Sequence, residues 1–208
     1  MKTVLWCLRA FSSFKTEVKV VLISLSVILI LPVLAVLVVA SSGLNAISSS
    51  LVAINPVTHL IEVHDPDGKI VAQLTASTVW PVRGKVTLEF GEPDPPYQSH
   101  HTGIDIAKGV GEPITPFMTG KVNKVDTNPN NSTGYGEYVM VDHGNNITSL
   151  YAHMSEVKAI TRQDVKPGDI IGLEGQTGHA IGSHLHFEIR VYGVPVNPRI
   201  FMVGDPIQ

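Results

Sequence analysis

The chain has 208 residues, 44% of them hydrophobic and only 16% charged, with a net charge of −3. This excludes an intrinsically disordered chain, which needs low hydrophobicity and high net charge, and the acidic balance argues against non-specific nucleic-acid binding. A single Cys excludes a disulfide framework and a multi-cysteine zinc ribbon, and nine His mean that a metal site here would draw on imidazole and carboxylate.

Residues 1–19 carry Lys2, Arg9, Lys15 and Lys19 against Glu17, a net +3. Residues 20–40 follow, a run of 21 with no charge. As a helix this run is about 31 Å long at ~1.5 Å per residue, close to the ~30 Å hydrocarbon core of a bilayer. Pro32 kinks such a helix without excluding it. The run has no polar face to suit a helix at a protein core, and it exceeds the roughly 7–15 apolar residues of a secretory signal. It is read as an uncleaved signal anchor. The alternative is a cleaved, secreted form, since Ala40-Ser41-Ser42-Gly43 suits a signal peptidase. Cys7 precedes the run, so it does not read as a lipoprotein cysteine. Basic residues flank the cytoplasmic end of a span, whereas residues 41–208 carry 11 basic and 17 acidic side chains, a net −6. The expected topology is single-pass, with 1–19 a cytoplasmic basic tail, 20–40 in the lipid bilayer and the rest outside.

Residues 41–58 are uncharged and rich in Ser, Ala and Asn, which predicts a juxtamembrane spacer. Leu60–His64 and Lys69–Leu74 flank Asp65-Pro66-Asp67-Gly68, which predicts a β-hairpin. Residues 41–79 are therefore read as spacer plus hairpin. From Trp80 onward short β-rich runs alternate with turn residues: Lys85–Phe90, Gly120–Val125, Tyr138–Asp142, Ile147–His153, Ile170–Leu173 and His184–Val191. No stretch beyond Ala40 keeps a helical apolar period over ten residues. The expectation is an all-β fold, an antiparallel β-sandwich or barrel over 80–200, with one N-terminal transmembrane helix and a C-terminal tail over 201–208.

Seven of the nine His lie between residues 100 and 186. On a strand, residues i, i+2 and i+4 share a face. In His101-Thr102-Gly103-Ile104-Asp105 that spacing points His101 and Asp105 the same way. Gly103 then leaves room for an ion, while Ile104 and Ile106 face the core. In His184-Leu185-His186-Phe187-Glu188 both imidazoles share one face, the pattern of a metal site or an acid–base pair. Tyr151-Ala152-His153 sets Tyr151 and His153 on one face. Zinc takes His nitrogen and carboxylate oxygen, commonly three protein ligands at a catalytic centre, and a remaining His can move protons. Spacing alone leaves open which His does which.

Taken in order, these residues resemble the lysostaphin-type (M23, LytM-like) zinc metallopeptidases. The match runs from about Trp80 to Pro198. It includes Trp80-Pro81-Val82-Arg83-Gly84, His101-Thr102-Gly103-Ile104-Asp105, Tyr151-Ala152-His153-Met154, Gly175-Gln176-Thr177-Gly178 and Gly182-Ser183-His184-Leu185-His186-Phe187-Glu188. The resemblance implies that His101, Asp105 and His186 are ligands to Zn2+. It implies that His153 and His184 are catalytic, His184 as base and His153 as donor to the tetrahedral intermediate. It implies a small antiparallel β domain with a groove over the metal. The usual substrates are peptide cross-links or stems of bacterial peptidoglycan. Relatives that have lost catalysis usually lack one or more of these five residues, and all five are present.

The expected protein is thus a membrane-anchored zinc metalloendopeptidase at the bacterial cell membrane, its catalytic domain extracytoplasmic. The alternative is a non-catalytic LytM-like binding or scaffold module of an envelope, secretion or conjugation apparatus. Residues 41–79 contain no recognisable wall-binding module, and nothing in the sequence supports a metal cap from Asn45 or Asn55. His100, His143 and His179 are given structural or solvent-exposed places, His179 in a Gly-rich loop near the site.

Overall fold

The computed structural model describes residue 43 and residues 45–98 and 100–206. The proposed anchor over 20–40 lies outside them, and no helix among the described residues is long and apolar enough to cross a membrane.

Residues 45–51 are helical. They lead into β1 (Val52–Ile54), β2 (Ile61–His64) and β3 (Ile70–Leu74), an antiparallel three-stranded sheet in that order. The β2–β3 turn is Asp65-Pro66-Asp67-Gly68. Asp65 Oδ1 accepts the N–H groups of Asp67 at 3.0 Å and Lys69 at 2.8 Å, and Gly68 takes φ +84. The spacer expected over 41–58 does not describe residues 45–54. Leu51 and Val52 are buried with Ile61 and Val63 in the same apolar cluster as Trp80 and Phe201. The Asn197 N–H donates to the Ser48 hydroxyl at 3.1 Å. Two apolar residues in a row were enough to pin this segment to the core, and they carry no periodic signal.

The remaining strands are β4 (Lys85–Leu88), β5 (Ile104–Ala107), β6 (Pro113–Ile114), β7 (Gly120–Asp126), β8 (Glu137–Asp142), β9 (Ile147–Met154), β10 (Glu156–Val157), β11 (Asp164–Val165), β12 (Gly172–Leu173), β13 (Leu185–Val191) and β14 (Val194–Val196). An eight-stranded sheet runs β11-β7-β8-β9-β13-β5-β4, with β14 paired to β13. A small sheet runs β10-β12-β6. The expected antiparallel β architecture is present, as one large sheet with two small ones.

β13 sets the order of everything near the site. Leu185, Phe187, Ile189 and Val191 alternate along it and are wholly buried in the core. His186 and Glu188 fall on its other face, as a period of two requires. β13 pairs with both β9 and β5, so that His186 lies opposite Ala152 on one side and Asp105 on the other.

Gly103 serves that packing. A β-carbon there would run into the Phe187 carbonyl oxygen and the Glu188 side chain. The glycine is therefore required by the close approach of β13, not by room for an ion as the sequence suggested. Gly103→Ala should destabilise the fold by about 1–3 kcal/mol, the usual cost of overpacking. Urea denaturation measures it, and an unchanged midpoint would contradict the packing.

His143 is a half-buried histidine packed against the core. Its Nδ1 donates to the Thr119 carbonyl at 3.0 Å, its Nε2 meets the Ser149 hydroxyl at 2.7 Å, and its ring stands edge-on to Phe117. Burial pushes its pKa below the ordinary 6.5 against the opposing effect of the Thr119 carbonyl. The unfolded chain then takes up the proton first, so stability present above 6.5 is lost as pH falls below it. The unfolding midpoint should drop between about pH 7.5 and 5.5. The drop should be shallower in His143→Gln, as parallel denaturation series would read.

Candidate metal centre and catalytic cleft

Three segments bring the site together. His101 lies just before β5, Asp105 within it, His153 near the end of β9, His184 just before β13, and His186 within β13. His101 Nε2, Asp105 Oδ1 and His186 Nδ1 form a closed triangle. His101 to His186 is 2.8 Å, His101 to Asp105 is 3.0 Å and His186 to Asp105 is 2.9 Å. All three residues are buried.

The outer nitrogen of each His is fixed by a protein acceptor. His101 Nδ1 donates to the Glu89 carbonyl at 3.3 Å, and His186 Nε2 donates to Glu188 Oε1 at 3.0 Å. A carbonyl and a carboxylate can only accept, so in the neutral rings the inner nitrogens both present lone pairs. Two lone pairs and a carboxylate oxygen pointing at one another call for a cation between them. Without a metal, a proton fills that need. Burial alone would lower the His186 pKa, but hydrogen bonds to Asp105 and Glu188 raise it to about 9. Burial works to raise the Asp105 pKa, yet His101 and His186 hold it well below the usual carboxylate range. The donor set thus fits Zn2+, which takes imidazole nitrogen and carboxylate oxygen.

His153 and His184 stand beside this triangle. Their ring centroids are 4.8 Å apart, and His153 is 5.8 Å from His186. His153 Nδ1 donates to the Thr177 carbonyl at 2.8 Å and His184 Nδ1 to the Gly182 carbonyl at 2.9 Å. Both neutral rings therefore keep Nε2 free to accept. His184 Nε2 is 3.4 Å from Asp105 Oδ2. Burial, then the neighbouring His186 and His184, push the His153 pKa down to about 3.

His153 reaches the site by a device the sequence does not advertise. It has φ 61, in the left-handed region, a conformation costly for a residue with a side chain and typical of functional sites. Glu137 pairs with Met154 while Val139 pairs with Tyr151, so β9 bulges there. Tyr151 and His153 consequently do not share a face. Tyr151 is fully buried, its hydroxyl accepting the Phe117 N–H at 3.1 Å and its ring stacked on Phe187.

The five residues line one cleft of about 480 Å3. Its rim includes Pro93, Pro95, Tyr97, His179 and Ile181. Tyr97 and His179 stack at 4.8 Å, which places His179 at the cleft mouth. Asn55 is occupied in the β1–β2 turn and by Glu62, and Asn45 lies beside Gly91, so neither caps the metal position. Glu188, Thr102, Tyr135 and Arg190 received no role from the sequence, yet they form the hydrogen-bonded backing of His186. Burial alone would push the Glu188 carboxyl up. The hydrogen bond and charge of His186, with Arg190 and Thr102, bring it down to about 2. The period of two on β13 carried the signal for Glu188, which lies two residues from His186.

Comparison with known sequences matches residues 99–198 to Peptidase family M23. The chain is 35% identical over 143 residues to DD-carboxypeptidase/endopeptidase Mpg of Neisseria meningitidis, covering 64% of this chain and 31% of that one. It is 36% identical over 119 residues to Murein hydrolase activator NlpD of Escherichia coli, covering 57% of this chain and 29% of that one. It thus spans about a third of the length of the curated relatives it matches. Among solved structures, the catalytic domain of the prophage-encoded M23 protein EnpA from Enterococcus faecalis aligns with a TM-score of 0.52 at 32% identity, over 59% of this chain and 95% of that one. An M23 catalytic domain is thus matched almost end to end, by a fold that carries the triangle of donors on β13, on β5 and just before β5, and the chain belongs to peptidase family M23.

Proposed function

We propose that the protein is a membrane-anchored zinc metalloendopeptidase that hydrolyses peptide cross-links or stems of bacterial peptidoglycan. Residues 20–40 would hold it in the cell membrane, with the peptidase domain outside the cytoplasm. The observation that carries the reading is the convergence of His101, Asp105, His186, His153 and His184 on one cleft. The likeness to Mpg, named a DD-carboxypeptidase/endopeptidase, supports the substrate class.

His101, Asp105 and His186 would hold the zinc. Zinc bound there supplies Lewis acidity to the scissile carbonyl and brings the pKa of a coordinated water towards ~7. The chain's own part is proton management. His153 and His184, each tied through Nδ1 to a main-chain carbonyl and each lining the cleft, would be the groups that move protons. His184 would act as base and His153 as donor to the tetrahedral intermediate, the division the family resemblance implies.

The test is mass spectrometry of fragments released from defined, cross-linked peptidoglycan by the zinc-loaded full chain, with and without a chelator. Chelator-sensitive release of peptide fragments is expected, and an intact substrate refutes the proposal. The likeness to NlpD, named a murein hydrolase activator, favours a second reading as a non-catalytic module. Stimulation of another hydrolase that survives His184→Ala would support that reading.

A further inference from the structure

The face of β13 that carries His186 continues into Glu188, which has no solvent exposure at all. Four donors reach this carboxylate. Thr102 Oγ1 at 2.6 Å, the Tyr135 hydroxyl at 2.8 Å and His186 Nε2 at 3.0 Å converge on Oε1, and Arg190 Nε reaches Oε2 at 2.6 Å. Arg190 Nη2 also donates to the Tyr135 hydroxyl at 2.9 Å, which leaves the Tyr135 proton directed at Glu188. Both oxygens of the carboxylate are held by donors, and its charge is balanced by one guanidinium.

We propose that Glu188 is the positioning residue of the metal centre, fixing His186 as the Nε2–H tautomer so that Nδ1 is left to bind the metal. The inference deepens the zinc reading of the same cleft and rests on it. Imidazole has two nitrogens, and only the hydrogen bond made by one decides which is free for a metal. Here that bond comes from a group that cannot donate. Thr102 and Tyr135 add no competing donor to the ring, because their hydroxyl protons are already committed to Glu188. Arg190 holds the carboxylate from the far side and keeps it from swinging toward the metal position.

Glu188→Gln tests this with little change in shape. Arg190 requires an acceptor on its side, so the amide oxygen must face the guanidinium and the amide N–H2 must face His186 Nε2. That arrangement forces the proton onto Nδ1 and blocks the metal-binding atom. Zinc affinity of the full chain, read by competition with a chelating dye, should fall about 10- to 100-fold, the usual effect of losing such a partner. In the double variant Glu188→Gln, Arg190→Gln the amide is free to turn its oxygen to His186, and much of the lost affinity should return. A purely structural role would give no such return.

A Glu188→Gln chain that binds zinc within about twofold of wild type overturns the inference. A second measurement needs no variant. Nitrogen-15 spectra of the zinc-loaded wild type should show His186 metallated at Nδ1 and protonated at Nε2, and the opposite assignment overturns the inference. If the wild-type chain itself takes up no zinc, the proposed function falls and this inference with it. If it binds zinc while the variant is unchanged, only the inference falls.

Discussion

Asp105→Asn should leave the full chain unable to retain zinc through gel filtration and should lower peptide hydrolysis by on the order of 10³-fold or more. Asp105 is the only anion in the triangle. Its Oδ1 is within 3.0 Å of both imidazole nitrogens of the triangle, and its Oδ2 is 3.4 Å from His184 Nε2. An amide keeps the volume, supplies a much weaker ligand oxygen and turns an amide N–H2 toward groups that need an acceptor. The loss should appear in metal content and in turnover together. A variant that keeps stoichiometric zinc, or loses zinc but hydrolyses at the wild-type rate, would remove Asp105 from the centre.

The second large effect separates proton transfer from metal binding. His153→Ala and His184→Ala should each retain zinc and lose about 10²- to 10⁴-fold in kcat, the range of a positioned acid or base. The loss should fall mainly on kcat, with KM changing less. Both rings are anchored through Nδ1 on main-chain carbonyls, Thr177 for one and Gly182 for the other. Their removal therefore leaves the triangle's own hydrogen bonds untouched. If either variant loses zinc along with activity, that histidine belongs with the ligands.

Some of this was legible in the sequence. The alternation Leu185-His186-Phe187-Glu188 placed two apolar residues in the core and two polar ones in the site, because a strand has a strict period of two. The turn at Asp65-Pro66-Asp67-Gly68 was legible because its residues act locally, the Asp side chain on its own turn and Gly at positive φ. The failures have a common cause, which is tertiary contact. His153 is itself left-handed, at a bulge in β9 that turns it off the face of Tyr151, and nothing in Tyr151-Ala152-His153 foretells it. Gly103 answers to a carbonyl on another strand. Residues 45–54 find their place through a few buried side chains and one bond to Asn197, with too few residues to set up a pattern.

The two-faced character of β13 also bears on how this sequence can change over time. Loss or gain of one residue between 185 and 191 would exchange the faces beyond the lesion. Depending on where it fell, such a change would drive His186 and Glu188 toward the apolar interior or Phe187 into the cleft. Neither outcome spares folding while spoiling chemistry alone, since one strand serves both. Length variation among descendants of this gene should therefore gather in the rim segments around Pro93–Tyr97 and 179–182, which border the cleft, and should spare β13. The same partition marks where a protein engineer can alter substrate preference without disturbing the centre.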